Sequence, residues 1–338
     1  MAHETKDNDC VVRLSGSLSD CTEQGIMEAC AADAKTIVLD FSGMDFMDSA
    51  AAGMLVRLAV LASQGGKRLR ARGLSPHYRD VLRVTGLDGA MRVETAEITA
   101  GSARDEGNWA PAVERLKVPD MPPQARNINV NGRRVVGPVQ GFGQMWQKTY
   151  RLNIDKPDIK PSDAIAALKA NFPSFQPPYN KFYPSAAGIA PGEIVLIDSY
   201  TPGGPLSTGV LVLYADDVSF TFITPQGHPE SGWVTFTAFE EAGRTVMQVQ
   251  GLARAGDPLF EAAFRLAGSK MQVRIWTYLL QSLAQHLGVE PTVEVRAEVL
   301  DGRVHWSQAG NIWHNAQART LLYVALSPLR RIFRISKR

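Results

Sequence analysis

The sequence predicts an α/β domain followed by an α+β domain, with a β-hairpin and a helix after the second domain. Between residues 8 and 97, short apolar runs alternate with helical patterns, as in strands joined by helices. From residue 193 to residue 252, strand-like runs follow one another directly, and a long helical pattern continues to residue 287. We therefore expect domains at 8–97 and 143–288, a linker containing Pro and Gly at 98–142, and an extension at 289–338.

Size and composition are those of an ordinary soluble protein. The chain has 338 residues, of which 45% are hydrophobic and 21% charged, so two packed domains are expected. No apolar run approaches the ~20 residues that cross a membrane, and the polar N-terminus lacks the apolar core of a signal peptide. Cys10, Cys21 and Cys30 form no CxxC pair, which favours reduced thiols. We expect a cytoplasmic protein.

The most informative stretch lies between residues 36 and 55. An apolar run at 37–41 predicts a strand that ends in a turn at Ser42 and Gly43, and a helical pattern begins directly after Asp48 and Ser49. Ser or Asp at this position caps a helix, because its side-chain oxygen accepts from an unpaired main-chain amide. Ser49 is therefore expected at a strand-to-helix junction, where the helix N-terminus could hold a phosphate.

The segment around this junction resembles the STAS domain, named for sulfate transporters and anti-sigma factor antagonists. The resemblance covers residues 8–97 and implies a module that binds a protein partner, such as an anti-sigma-type kinase. It also implies phosphorylation of the Ser that follows the Asp, which is Ser49 here. Ala50 replaces a second hydroxyl of the family pattern, and Gly53 lies further along the chain than expected. The implied partner-binding residues are Asp48, Ser49, Ala50, Ala51 and Gly53.

Two interpretations of Ser49 stay open. As a phosphosite it would gain about −1.5 to −2 charges and three acceptor oxygens, which would change the partner that docks there. As an ordinary helix cap it would have no regulatory role. In either case the start of the helix is small and apolar, which suits close approach of another protein.

The second domain has an informative order of elements. A strand at 148–154 and a short helix at 163–170 precede strands at 193–200, 207–215, 219–224, 233–239 and 245–252. Turns between them suit an antiparallel meander. A long helix is expected from residue 257 to residue 287, with Pro258 in its first turn and Gly288 just after its end.

This order resembles the helix-grip superfamily, also called START-like or SRPBCC, over residues 145–288. The resemblance implies a mostly apolar pocket for a lipid, isoprenoid, polyketide or aromatic molecule between the curved sheet and the long helix. The alternative is that the same side chains fill the interior as an ordinary core. The candidate pocket residues are Phe220, Phe222, His228, Trp233, Phe236, Met247, Phe264, Met271 and Trp276.

Catalytic signals are weak. His228 and Glu230 lie two residues apart and could perform acid–base chemistry at a pocket mouth, but the surrounding turn-forming residues favour a solvated loop. No nucleophile elbow, P-loop or zinc-binding helix motif is present, and His305 and His314 have no matching ligands. We predict no catalytic residue, no metal site and no cofactor.

After residue 288 the sequence predicts a hairpin, with strands at 292–299 and 303–306, and then a helix from about residue 311. Apolar residues at helical spacing lie beside basic ones, which suits contact with an anionic membrane or an acidic partner. A solvated basic end is the alternative, and specific nucleic-acid binding is not expected because no basic stripe extends over the chain. The basic residues are Arg330, Arg331, Arg334, Lys337 and Arg338.

Two main functions fit this pattern. The first is a non-enzymatic bacterial regulator or adaptor, in which a STAS-like partner-binding module is coupled to a hydrophobic-ligand domain. It predicts a pocket without convergent polar groups and an exposed face around Ser49. The second is a ligand carrier or enzyme that the STAS-like part anchors to a complex or to the inner face of the membrane, and its enzyme form predicts that His228 or a carboxylate points into the cavity. A third option is a STAS-like part that only scaffolds an assembly.

Overall fold

The structure, a computed structural model, describes residues 2–6, 8–18, 23–29, 34–94 and 103–335. Two β-sheets organise this part of the chain, one of five strands and one of nine. The first belongs to the N-terminal α/β domain and the second to the α+β domain, in the order that the sequence predicts. The fold class is thus an α/β domain followed by an α+β domain with an antiparallel sheet.

The N-terminal sheet has the strand order β1-β2-β3-β4-β5, with only β1 antiparallel to its neighbour. Three described helices accompany it. The elements are β1 (Ala2–Lys6), β2 (Asp9–Ser17), α1 (Glu23–Ala29), β3 (Thr36–Phe46), α2 (Ser49–Gln64), β4 (Arg68–Arg72), α3 (Pro76–Thr85) and β5 (Arg92–Val93).

Two details of this domain differ from the predictions. The turn expected at Ser42 and Gly43 is wrong, because β3 continues to Phe46 and only its pairing with β2 becomes irregular near Gly43. The reduced state expected for all three cysteines is wrong at Cys10, which is buried on β2 and disulfide-bonded. Cys21 and Cys30 lie outside the described residues.

The second sheet is antiparallel and has the order β14-β7-β13-β12-β11-β10-β9-β8, with β6 paired to β11. Its strands are β6 (Val135–Val136), β7 (Met145–Ile154), β8 (Asn180–Pro184), β9 (Ile194–Thr201), β10 (Gly204–Ala215), β11 (Ser219–Pro225), β12 (Glu230–Glu241), β13 (Arg244–Ala255) and β14 (Val293–Asp301). The helices are α4 (Pro161–Asn171), α5 (Pro258–Ala263), α6 (Ser269–Leu287) and α7 (Ala316–Ile335).

The inner face of this sheet packs against α4 and α6, which gives the helix-grip arrangement. Alternate residues of each strand point inward. They form one apolar core with Phe172 near the end of α4 and Leu280 of α6. Gly288 adopts a left-handed conformation (φ 66°) directly after α6, which is the helix-ending role that its sequence position predicts.

The long helix and the C-terminal extension differ from the sequence-based expectation. The helix is interrupted, because a π-helical turn at Phe264–Gly268 separates α5 from α6. The predicted hairpin is wrong: β14 pairs with the edge strand β7, while residues 302–305 form no strand and a 3₁₀ helix follows at Trp306–His314. Asp301 is held by Arg254 of β13, at 2.6 Å, so the Asp-Gly pair ends the strand instead of turning it back.

Candidate functional site

A cavity of about 470 Å³ lies between the second sheet and its helices. Small or apolar residues of β10, β12 and β13 form its wall, and residues of α5, α6 and α7 close its other sides. Leu259, Gln317 and Leu321 are among the residues that border it from the helices. Beside it, packed side chains fill the interior. The domain thus contains both a pocket and a packed core.

The predicted pocket residues divide between the cavity lining and the packed core. Phe220, Phe236 and Met247 do not border the cavity; they lie in the filled core, where the rings of Phe220 and Phe236 stack with centroids 4.5 Å apart. Trp233 borders the cavity, yet it belongs to the apolar core on the opposite face of the sheet, where it pairs with Leu252. The remaining five border the cavity: Phe222, His228, Phe264, Met271 and Trp276.

One end of the cavity is polar. Glu230 opens β12 on the inner face, and its Oε2 accepts a hydrogen bond of 3.1 Å from Nε2 of Gln272 on α6. The Oε1 of Gln272 accepts from the ammonium group of Lys148 at 2.6 Å. Burial raises the pKa of the Glu230 carboxyl, and the charge of Lys148 acts against this rise. The three side chains form a hydrogen-bonded chain that ends at the cavity, so the pocket without convergent polar groups, which the regulator was expected to have, is wrong at this end.

His228 lies at the same end. It is half-buried, and burial lowers the pKa of its imidazole to about 4, so the ring is neutral at pH 7. Its Nδ1 lies 3.1 Å from the main-chain nitrogen of Glu230. Nδ1 also lies 3.0 Å from the main-chain oxygen of Glu230, so it accepts from the amide in one neutral tautomer, with the proton on Nε2, and donates to the carbonyl in the other. His228 lies in the turn before β12, as expected, and Glu230 is the first residue of that strand; both side chains are half-buried and border the cavity, so the fully solvated loop is wrong.

Sequence reasoning did not find Gln272, Lys148 or Thr208. A readable signal existed for Gln272, because it precedes Trp276 by four residues and therefore lies on the same face of α6. Thr208 borders the cavity from β10, and its hydroxyl has no hydrogen-bond partner among the described residues. The same holds for Nε1 of Trp276. Two buried polar atoms in the walls of the cavity thus have no hydrogen-bond partner among the described residues.

The start of α2 differs from the prediction in two ways: Ser49 is not the helix cap, and it is not exposed. Asp48 is the cap, since its side chain accepts from the main-chain nitrogen of Ala51 at 2.8 Å. Ser49 is the first helical residue and only 2% exposed, and its hydroxyl has no hydrogen-bond partner among the described residues. Ala51 is also buried and Gly53 half-buried, while Ala50 is exposed. The exposed face expected around Ser49 is therefore wrong.

The cover over this helix comes from later parts of the same chain. A Cβ placed on Gly53 would lie 4.0 Å from Cδ2 of Leu252 on β13, and Arg57 donates to the side chain of Gln147 on β7 at 3.0 Å. Near the end of the helix, Gln64 donates to the carbonyl of Leu300 at 3.0 Å. α2 is consequently packed by the first sheet on one side and by the outer face of the second sheet on the other, which explains its apolar character on nearly all faces.

The C-terminal helix borders the cavity with its first turns. Asn315 donates to Asp257 at 2.8 Å, and Asp257 caps α5, so the starts of α5 and α7 are tied together. Arg330, Arg331 and Arg334 lie in the last turns of α7, whose side chains the structure does not describe, and Lys337 and Arg338 lie beyond the described residues. No described helix has both the length and the apolar character that crossing a bilayer requires.

Comparisons with known proteins support the first domain and give distant likenesses for the second. Residues 1–94 match a family model described as "Mlab, STAS domain". No curated protein matches the chain.

Among solved structures, the chain is similar to the di-domain ARO/CYC StfQ from the steffimycin biosynthetic pathway, with 13% identity and a TM-score of 0.33; the match covers 43% of this chain and 50% of that one. It is also similar to protein Ms6760 from Mycobacterium smegmatis, with 15% identity, a TM-score of 0.31, and coverage of 42% and 90%. A third is Ara h 8.0201, with 13% identity, a TM-score of 0.29, and coverage of 42% and 97%. This chain combines a STAS match on residues 1–94 with a helix-grip fold in its second domain.

Proposed function

We propose that this chain is a ligand-binding adaptor, in which occupancy of the helix-grip cavity controls the availability of the STAS-like helix α2 to a protein partner. The observation that carries this proposal is the apolar cavity of about 470 Å³ with one polar end. Pockets of this size and character are typical binding sites for small hydrophobic molecules.

Coupling between the cavity and α2 has a direct structural basis in β12 and β13. Successive residues of a strand point to opposite faces. Val234 and Gly251 therefore border the cavity, while their neighbours Trp233 and Leu252 belong to the core that contains α2. A ligand that displaces these strands would change the packing of α2. Phosphorylation of Ser49 fits this scheme as a second signal, because it requires the helix start to be uncovered first.

A second candidate function is enzymatic. His228 and Glu230 border the same cavity, and the sequence-based criterion for an enzyme was a His or carboxylate at this position. Acid–base chemistry needs a group that can exchange a proton with the ligand. The neutral imidazole of His228 and the carboxyl of Glu230 both meet this need. Release of the bound molecule in a chemically altered form would favour this candidate.

The test is a binding titration with the neutral fluorescent probe Nile red on the full chain and two variants. Gly251→Leu places a side chain in the cavity, where a Cβ would lie 3.7 Å from the amide of Gln272. Gln250→Leu is the matched control, because it adds a similar side chain at the adjacent, outward-facing position. We expect saturable binding that Gly251→Leu removes and Gln250→Leu retains. Binding that is equal in both variants would place the probe elsewhere and contradict the proposal.

Coupling is tested by amide hydrogen exchange of residues 49–56 with and without saturating probe. The proposal expects exchange in this segment to change on binding in the wild-type chain but not in Gly251→Leu. If amide exchange of residues 49–56 is unchanged at saturation, the chain binds a ligand but the adaptor role is contradicted.

A further inference from the structure

We infer that the ligand of this cavity is a neutral, hydroxyl-bearing hydrophobic molecule, and not an anionic amphiphile such as a fatty acid. The inference rests on the proposed ligand-binding function and adds the chemistry of the head group. It depends on the charges at the polar end of the cavity and on the hydrogen-bonding roles of Glu230 and His228.

The charges disfavour an anionic head group. Among the described residues that border the cavity, Glu230 and His228 are the ionisable ones, and no Lys or Arg borders it. Lys148 is the cation close to this end, and its ammonium group is already hydrogen-bonded to Gln272. A carboxylate or phosphate bound here would lose its water, meet Glu230 and find no cation on the cavity wall.

The hydrogen-bonding role of Glu230 follows from its partners. Lys148 can only donate, so the oxygen of the Gln272 amide faces it and the amide nitrogen faces Glu230. Glu230 must then accept through Oε2. Its other carboxylate oxygen, Oε1, has no hydrogen-bond partner among the described residues. Glu230 therefore offers the cavity an unused acceptor in a fixed orientation.

His228 offers the complementary group. Its Nδ1 contacts both the main-chain nitrogen of Glu230, at 3.1 Å, and the main-chain oxygen of Glu230, at 3.0 Å; in the tautomer that accepts from the nitrogen, the one proton lies on Nε2, which no described residue accepts. An acceptor and a donor thus lie two residues apart on one wall of the cavity. A hydroxyl group satisfies both, because it donates one hydrogen bond and accepts others. The apolar remainder of the wall suits the hydrocarbon body of an alcohol, and an ether or a hydrocarbon would satisfy only one or neither of the two groups.

The test uses retinol, whose fluorescence reports binding directly, displaced by three competitors that share one hydrocarbon chain. These are 1-hexadecanol, hexadecanoic acid and hexadecyl methyl ether, compared at pH 8. We expect the alcohol to compete about tenfold better than both the acid and the ether. The ether lacks the hydroxyl proton that Glu230 would accept, and the ionised acid is repelled by Glu230. An acid that competes as well as the alcohol, or an ether that does so, would overturn the inference.

Variants assign the effect to the named residues. Glu230→Gln removes the negative charge at nearly constant volume, so competition by the acid should improve about tenfold. Glu240→Gln removes an exposed charge at the far end of the same strand and should leave all three competitors unchanged. If Glu230→Gln leaves the acid as weak as before, Glu230 does not select the head group. Failure of both retinol and Nile red to bind the wild-type chain would instead overturn the proposed function itself.

Discussion

The indole nitrogen of Trp109 donates a hydrogen bond of 2.9 Å to the main-chain oxygen of Met47, the residue that precedes the α2 cap. The same nitrogen lies 3.0 Å from Oδ2 of the buried Asp105, and the ring packs edge-on against Tyr214 of β10. A residue between the two domains thus fastens the start of α2 to the second sheet. The start of α2, which the sequence predicts to be an exposed partner-binding face, is an internal contact in this structure.

Replacing Trp109 should loosen this contact. Trp109→Phe keeps most of the apolar ring but removes the indole N–H. The buried oxygens of Met47 and Asp105 then lose this hydrogen-bond donor. We expect a loss of about 1–3 kcal/mol in the free energy of unfolding and faster amide exchange in residues 49–56. Trp313→Phe is the control, because Trp313 is 83% exposed, and it should change stability by no more than about 0.5 kcal/mol. Equal effects of the two variants would argue against the fastening role of Trp109.

Ser49 should tolerate loss of its hydroxyl but not a charge. The hydroxyl is buried without a partner among the described residues, so Ser49→Ala should be neutral or stabilise the fold by up to about 1 kcal/mol. Ser49→Asp places a carboxylate in the same buried position and should cost about 3 kcal/mol or more in urea unfolding. Ala50→Asp is the matched control, because Ala50 is exposed one residue later at the same helix start. If the Ser49→Asp variant is as stable as the Ala50→Asp variant, the start of α2 does not have to be uncovered before Ser49 is phosphorylated.

Local signals in the sequence predicted the start of α2, whereas its burial depends on distant residues. Asp48 and the apolar periodicity after it lie within one short segment, and the structure has the helix there. Trp109 and Leu252 cover that helix but carry no sequence signal that pairs them with it. A helix in contact with only one sheet needs an apolar stripe on one side, whereas α2 has ten buried positions. This excess of apolar residues in the sequence was a usable sign that α2 is covered on more than one side.

The cavity end was misjudged for a related reason. Turn-forming residues around His228 are typical of a solvated loop, and no local pattern shows that α6 brings Gln272 against Glu230. Asp301 and Gly302 likewise form a common hairpin signal, but the nearby edge of β7 was free to pair with β14. Both errors concern contacts between segments far apart in sequence, which single-sequence periodicity does not contain.

Stability should depend on pH through His228. Burial lowers the pKa of its imidazole to about 4 in the folded protein, below the ordinary value of 6.5. As the pH falls from about 6.5 to about 4, the unfolded chain therefore binds a proton that the folded chain does not, and stability decreases by up to about 3 kcal/mol. Glu230 responds in the opposite direction, because its pKa is raised. The His228 contribution is isolated by comparing wild type with His228→Asn in urea unfolding at pH 7.5 and pH 4.5; a stability difference that is the same at both would contradict this assignment.

Arg254 and Asp301 form a buried ion pair that should be costly to break from one side. Arg254 is 2% exposed and donates to Asp301 at 2.6 Å and to the carbonyls of Gly143 and Arg303. Burial raises the pKa of the Asp301 carboxyl, but hydrogen bonds from Arg303 and Arg254 outweigh it and hold that pKa well below its usual range. Arg254→Met should therefore cost about 3–5 kcal/mol in the free energy of unfolding, because the carboxylate stays buried. Adding Asp301→Leu should recover part of this loss, whereas Arg244→Met, which breaks an exposed pair with Asp155, should cost less than about 1 kcal/mol. A double variant less stable than Arg254→Met alone would mean that Asp301 ends β14 through Arg303 and the main chain, independently of Arg254.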